Sequence, residues 1–266
     1  MTPLDPSTLT LASIICWLLA SLFFGFAPAR GLPRRIAHLL LLTGLLLMAA
    51  LLTSLWLSMG RAPMRTLGET RLWYGFFLPA IGYAVYLRWG YTWMIHYASL
   101  VATAFLLVNL LHPENYDRDL MPALQSPWFV PHVVVYLFAY AVLAASAIVA
   151  IKGLLRHALH RPVSGELALA DRLVTLGFGF LSLGLLFGAL WGKEAWGHYW
   201  TWDPKETWAF LTWIMYLAYI HLRIHRGRRE LASLWVLAFA FGILLIAWFG
   251  VNYLPSAANS VHTYAR

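Results

Sequence analysis

An all-α fold, a polytopic membrane bundle of about eight transmembrane helices, is predicted by three properties of this 266-residue chain. Hydrophobic residues make up 61% of it, charged residues 11%, and the mean hydropathy is +0.68. Apolar runs of bilayer length also recur along the whole sequence. So much apolar surface has no water-facing counterpart in a soluble domain, which makes lipid the expected solvent. A hydrocarbon core asks for roughly 20 residues of helix, and the runs meet or approach that length.

The first run, residues 9–27, contains the single cysteine, Cys16. Asp5 precedes it and no Lys or Arg does, so the basic leader of a cleavable signal is missing and the span is expected to be retained. One cysteine excludes an internal disulfide, a thiolate metal cluster and the C-x-x-C-H motif of a c-type cytochrome. The second run covers 36–59. The third, 72–87, is the shortest and carries Pro79 and Gly82, so a kink or tilt is expected there; a seven-span reading without it would reverse everything upstream. The fourth covers 91–111, and the fifth, 132–151, begins directly after Pro131. The sixth, 173–191, holds Gly184 and Gly188, with Gly192 just beyond, at four-residue spacing. Such a smooth stripe suits close approach of another helix, the expected use, or of a ligand plane. Runs at 207–225 and 231–254 complete the set. No repeat, low-complexity tract or long linker divides the chain, so one domain, 1–266, is expected.

Eight spans put Arg30, Arg34, Arg35, Arg88, Lys152, Arg156, Arg161, Arg172, Arg223, Arg226, Arg228 and Arg229 on one side with only Glu166, Asp171 and Glu230. By the positive-inside rule that side is cytoplasmic and both termini are extracytoplasmic. Topology thus accounts for the net charge of +8, and no nucleic-acid partner is expected.

Residues 191–208 read WGKEAWGHYWTWDPKETW. Trp191, Trp196, Trp200, Trp202 and Trp208 are mixed there with Lys193, Glu194, Asp203, Lys205 and Glu206, between apolar runs. Tryptophan settles where its body is buried and its indole N–H stays wet, so this cluster suits a membrane-surface platform for a large, flat, partly charged ligand. Haem has that shape and polarity.

Of the ten histidines, three stand out on the same predicted side as this cluster: His132 opening the fifth span, His198 within the run, and His262 beyond the last span. Two imidazoles in trans saturate the axial positions of haem iron, and the residues alone leave open which of the three supply them. His221 lies 13 residues past Trp208, about 20 Å along a helix, and cannot share that iron. An ionisable group inside a span is a functional candidate by default. As a ligand it would mark a second haem position nearer the cytoplasm, its trans partner coming from another helix or another protein. His96 is the internal option, with packing as its expected role. His225, beside Arg226, is expected to snorkel, and His38, His112, His157 and His160 are assigned no chemistry.

The run at 191–208 followed by YIHLR (219–223) resembles the tryptophan-rich WWD signature of the CcsA (ResC) family of cytochrome c biogenesis proteins. Its W-D-P-K-E form, 202–206, is similar to CcsA rather than CcmC. Resemblance extends through PMRTLGETRLWY (63–74), LQSPWFVPH (124–132) and GVNYLPSAANSVH (250–262), so it covers most of the chain after residue 60. It implies haem b, bound non-covalently in transit, with His132 and His262 as axial ligands. Trp191, Trp196, Trp200, Trp202, Asp203 and Trp208 would form the shelf, and His221 the inner ligand. It implies a CcsB (ResB) type membrane partner supplying the ligand trans to His221, an apocytochrome c bearing C-x-x-C-H, and a thiol-reducing thioredoxin-like protein. The implied activity is that of the CcsA subunit of a two-component holocytochrome c synthase, or haem lyase. It moves haem to the outer face and joins its vinyl groups to the acceptor thiols. No side chain in the chain resembles a nucleophile, so the implied catalysis is positional. The implied location is a bacterial cytoplasmic membrane, with the thylakoid as alternative. Competing readings are a CcmC-like haem transporter without ligation, a non-catalytic assembly scaffold, and a b-type electron carrier.

Overall fold

A computed structural model describes residues 5–26, 31–64, 66–112, 123, 126–225, 229–256, 260 and 262, with Leu67 and His225 described by backbone alone. Arg30, Arg226 and Arg228 of the charge pattern, and Arg65, Leu124, Gln125, 257–259 and Val261 of the resembling segments, lie outside these residues. Eight helices follow one another: α1 Pro6–Phe26, α2 Leu32–Met59, α3 Leu67–Trp89, α4 Thr92–Leu111, α5 Phe129–Ala158, α6 Ser164–Trp196, α7 Pro204–His225 and α8 Glu230–Trp248. A 3-10 turn, Gly250–Tyr253, follows α8. The described residues contain no strand. α1, α2, α4, α5, α6 and α8 are long and apolar enough to cross a membrane, and the chain is an integral membrane helix bundle. α3 and α7 carry charged residues at their ends and many aromatic or hydroxyl side chains within, which dilutes their hydropathy.

The helices form two compact units, 1–119 and 120–266. In the first, α1 packs on α2 and α4, and α3 on α4 and α2. Gly44 of α2 leaves room for the buried indole of Trp17. α3 begins before the apolar run because Thr66 and Glu69 form a capping box, Thr66 Oγ1 accepting from Glu69 N–H at 3.1 Å and the Glu69 carboxylate from Thr66 N–H at 3.4 Å. Arg61 grips that buried carboxylate through two nitrogens at 2.9 and 2.8 Å. Pro79 lies inside α3 without ending it. His96 takes the packing role: its Nδ1 lies 2.6 Å from Ser21 Oγ, and its ring fills the space beside Gly25, between α1 and α4.

In the second unit α5 packs against α6 and α8, and α7 against α6 and α8. Buried Ala139, Ala141, Ala144, Ala145, Ala147 and Ala150 keep α5 slim. Opposite them, a Cβ on Gly177 would come within 2.6 Å of Leu143, and one on Gly184 within 2.8 Å of the Tyr136 ring. α6 is much longer than its apolar run. Glu166 in its first turn lies 3.4 Å from both Lys152 Nζ and Arg156 Nε, and the helix stops only at Gly197, whose φ of +83° is left-handed. α8 is shorter than its run because the chain tightens into the 3-10 turn at Gly250, which ends where Leu254, preceding Pro255, is held extended at ψ 146°. At the arginine-rich end, Asp171 ties α6 to α7, accepting from Tyr219 Oη and from Arg223 Nε and Nη2, each at 2.8 Å.

Candidate functional site

The D-P-K-E segment is a helix cap. Asp203 precedes α7, Pro204 occupies the first helical position where its missing N–H costs nothing, and Asp203 Oδ1 accepts from Lys205 N–H at 3.0 Å. Glu206 reaches back, its Oε2 accepting from Asp203 N–H at 3.1 Å and Thr201 N–H at 2.8 Å. The turn is tight enough to hold Trp202 at φ +59°, a conformation costing a residue with a Cβ roughly 1–2 kcal/mol. Glu206→Ala removes the returning half of this box. It should lower stability by about 1 kcal/mol, read as a lower thermal midpoint of the detergent-solubilised protein.

Oδ1 of Asp203 is also where the C-terminal tail attaches. It accepts from Ser260 Oγ at 2.9 Å and from His262 Nδ1 at 3.0 Å, and the backbone N–H of His262 donates to Ser260 Oγ at 3.1 Å. Asp203 and His262 are 7% and 8% exposed. Burial pushes the Asp203 carboxyl up, but the hydrogen bonds from His262, Lys205 and Ser260, with the imidazole charge, outweigh it and bring it down to about 2. At neutral pH Asp203 is therefore an acceptor only. In the neutral ring, the form that can bind a metal, the proton of His262 must then sit on Nδ1, which puts the lone pair on Nε2.

His132 reaches the same tautomer by another route. It lies in the first turn of α5, and its Nδ1 is 2.9 Å from the Gly184 carbonyl, which can only accept. Its ring packs edge-on against Tyr136 at 4.6 Å between centroids and over Gly188, where a Cβ would lie 2.8 Å from Cε1 and 2.9 Å from Nδ1. The glycine stripe thus serves helix packing at Gly184 and a histidine seat at Gly188. Gly188→Ala should displace the imidazole and cut haem retention by the purified protein, measured by pyridine haemochrome.

Both imidazoles border on one indole. His132 lies 5.4 Å from the Trp191 ring centroid and His262 5.5 Å, and Trp196 packs on His262 at 4.5 Å. Trp191 is buried against Phe129, with its Nε1 donating to the Ala123 carbonyl at 2.7 Å. The predicted shelf divides here. Trp191 and Trp196 belong to the last turns of α6 rather than to a loop, and they wall the histidine pair together with Asp203. Trp200 and Trp202 pack instead on Phe210 of α7, at 6.3 and 5.7 Å. Phe210 stacks on Trp213, which meets Phe178 of α6. Trp208 lies half-buried in the first turns of α7. Tyr136, Phe210 and Trp213 carry no motif; only the His132–Tyr136 spacing of one helical turn, and the like spacing on α7, signalled their shared faces, while Ser260 stands in the resembling segment 250–262 with no role marked for it.

His198 is exposed, its backbone carbonyl lying over Gly192. His221 is exposed near the far end of α7, its Nδ1 donating to the Leu217 carbonyl at 2.9 Å. All three sequence-predicted ligands therefore have Nδ1 held by an oxygen acceptor, the arrangement that fixes metal-binding histidines and leaves the lone pair at Nε2. Among the described residues no three His, Cys, Asp or Glu converge on a point. Two imidazoles suit an ion whose equatorial positions are already filled, and the donor set fits haem.

Fold and site together define a polytopic membrane protein with a tryptophan-walled histidine pair at one end of its second unit. The chain belongs to the cytochrome c assembly protein family, whose model matches residues 8–258, and within it to the CcsA group. It is 32% identical over 231 residues to the cytochrome c biogenesis protein CcsA of Chlamydomonas reinhardtii, covering 81% of this chain and 65% of that protein. The corresponding proteins of Synechococcus sp. (strain JA-2-3B'a(2-13)) and Nicotiana tomentosiformis are each 30% identical, with 81% and 80% of this chain matched and 81% of each relative. Among solved structures, the cytochrome c haem lyase CcmF shares the fold with a TM-score of 0.70 at 17% identity, over 94% of this chain and 47% of CcmF.

Proposed function

We propose that this chain presents haem to apocytochrome c during cytochrome c maturation, as the CcsA part of a holocytochrome c synthase. Haem b is the cargo, bound non-covalently, with His132 and His262 as axial ligands and Trp191 and Trp196 as the aromatic wall. The observation that carries this reading is the pair of imidazoles on one indole, each with Nδ1 committed to an oxygen acceptor and its lone pair at Nε2. Trp200, Trp202 and Trp208 extend the apolar surface towards the acceptor.

The chemistry asks for position rather than a nucleophile. Each thioether forms when an acceptor S–H adds across a haem vinyl group, so both reacting partners come from the substrates. The chain holds the macrocycle, orients it and keeps water from one face, contributions worth several kcal/mol when reacting atoms are fixed near contact. The Trp191 end faces the extracytoplasmic side and the Arg223–Asp171 end the cytoplasm, in line with the charge pattern. His221, exposed on α7, meets a ligand from a CcsB-type membrane partner and holds haem on its way outward. A thioredoxin-like protein keeps the acceptor thiols reduced. The membrane is a bacterial cytoplasmic membrane.

Co-expression with a CcsB-type protein and a C-x-x-C-H acceptor, in a host lacking its own synthase, tests this reading. Covalent haem on the acceptor is expected only when both membrane proteins are present; covalent haem without this chain would reject it. His221→Ala is expected to lower haem content of the whole complex and His198→Ala to leave it near the unsubstituted level, with equal losses counting against the assignment of His221.

A further inference from the structure

Folding alone does not account for Lys205. It is the second residue of α7, where the positive end of the helix dipole disfavours a cation. Helical spacing places it on the side of α7 that carries the buried Thr212, Tyr216 and Tyr219, and the residue is half-buried. Among the described residues its ammonium has neither a hydrogen-bond acceptor nor an ion-pair partner. Asp203 attracts it, yet Oδ1 of that carboxylate is already shared by the Lys205 backbone N–H, His262 and Ser260. Burial outweighs this attraction and pushes the ammonium below the ordinary lysine range. A cation taken out of water is costly unless an anion meets it. Lys193, the other basic residue described at this end of the second unit, is exposed and already engaged, donating to the Gly197 carbonyl at 2.8 Å and lying 5.5 Å from the Tyr199 ring centroid. A second unmet polar group stands at the same end. The 3-10 turn after α8 packs on α7, and Asn252 within it has a buried Oδ1 without a partner. A half turn of its amide exchanges oxygen for nitrogen, so Asn252 offers an acceptor or a donor. A ligand that suits this end has a polar edge with negative charge on it.

We propose that Lys205 is the counter-charge for a propionate of haem and so sets which edge of the macrocycle faces the acceptor. The proposal rests on the haem-presentation reading above. Haem b carries two carboxylates on one edge and its two vinyl groups on the opposite one. His132, His262, Trp191 and Trp196 offer uncharged rings, which grip iron and the flat faces but do not tell those edges apart. Asp203, an anion, repels a carboxylate. The ammonium of Lys205 makes the distinction: it draws the propionate edge towards the start of α7 and turns the vinyl edge, where the acceptor thiols add, away from that helix. Lys205 holds and orients, and no covalent bond forms or breaks at its side chain.

The test uses the full chain purified with its membrane partner, on a His221→Ala background so that the inner position does not contribute. It is titrated with iron protoporphyrin IX and, separately, with the dimethyl ester of that porphyrin, whose propionates carry no charge. The readout is the growth of the low-spin absorption of haem with two nitrogen ligands. With Lys205 in place the diacid should bind about tenfold more tightly than the ester, the worth of one charge-assisted hydrogen bond. Lys205→Met keeps the apolar stem; it should weaken the diacid about tenfold and leave the ester unchanged, so that the preference disappears. Lys205→Arg, which restores the charge, should keep the preference. Equal weakening of both porphyrins by Lys205→Met would mean that the lysine serves the fold alone and would overturn the proposal, as would a preference that survives this substitution in full. Absence of the two-nitrogen band with either porphyrin while Lys205 is in place would instead overturn the haem-presentation reading itself, so the two failures are distinguishable.

Discussion

Alanine at either His132 or His262 is expected to abolish holocytochrome c formation, with a loss of at least about a hundredfold. Outer partners of metal-bound histidines are alone worth about 10–100-fold, and the ligand itself cannot matter less. The two variants should differ in what survives. His132→Ala leaves the Gly184 carbonyl and the Gly188 seat facing a void in the α5–α6 contact, so both haem retention and thermal stability fall. His262→Ala leaves the α5–α6 contact intact but removes the charge-assisted bond to Asp203, so stability falls by about 2 kcal/mol while formation is lost. The check is haem-stained acceptor alongside a thermal melt of each variant. Unimpaired acceptor maturation in both would reject the assignment.

Asp203→Ala is expected to give the next largest effect, because one oxygen serves two structures. Oδ1 caps α7 through Lys205 N–H and anchors the tail through His262 Nδ1 and Ser260 Oγ. Losing the cap costs about 1 kcal/mol, and the charge-assisted bond to the buried imidazole about 2 kcal/mol more. Holocytochrome formation should fall by about 10–100-fold, as for an outer-shell partner of a ligand. Asp203→Asn keeps an acceptor oxygen of the same shape and should sit between alanine and the parent in stability. It still removes the negative charge that makes the imidazole a stronger donor, so the reduction potential of bound haem should rise. An Asn variant identical to the parent in potential would mean that Asp203 acts on the fold alone.

Much of this arrangement was legible in the residues, and the parts that were not share physical causes. Apolar runs located all eight helices, because a bilayer imposes length and composition on each span. Their ends were less visible. Hydropathy does not register a capping box such as Thr66–Glu69, so α3 starts early. Nor does it count Lys193 and Glu194 as helical, although they stand in the last turns of α6. For the same reason the tryptophan run, read as one platform, divides into the end of α6, a short connection and the cap of α7, and its indoles fall into two groups. The DPKE quartet was legible as a signature. Its D-x-x-E spacing is also that of a helix cap, which gives the motif a physical reason. What local sequence could not carry is the bond between Asp203 and His262, 59 positions apart, since no periodicity links residues joined by tertiary contact. The glycine stripe announced close approach, and only the seat at Gly188 identifies an imidazole as one of the groups approaching.

The central claim, that iron porphyrin is held between His132 and His262 beside Trp191, is tested most directly by low-temperature electron paramagnetic resonance of the haem-loaded chain with its membrane partner. His221→Ala is used as the background, so that the inner position does not contribute. The account predicts a low-spin ferric signal of two imidazole ligands that turns high-spin on substitution of either His132 or His262. A signal unchanged by both substitutions would contradict it.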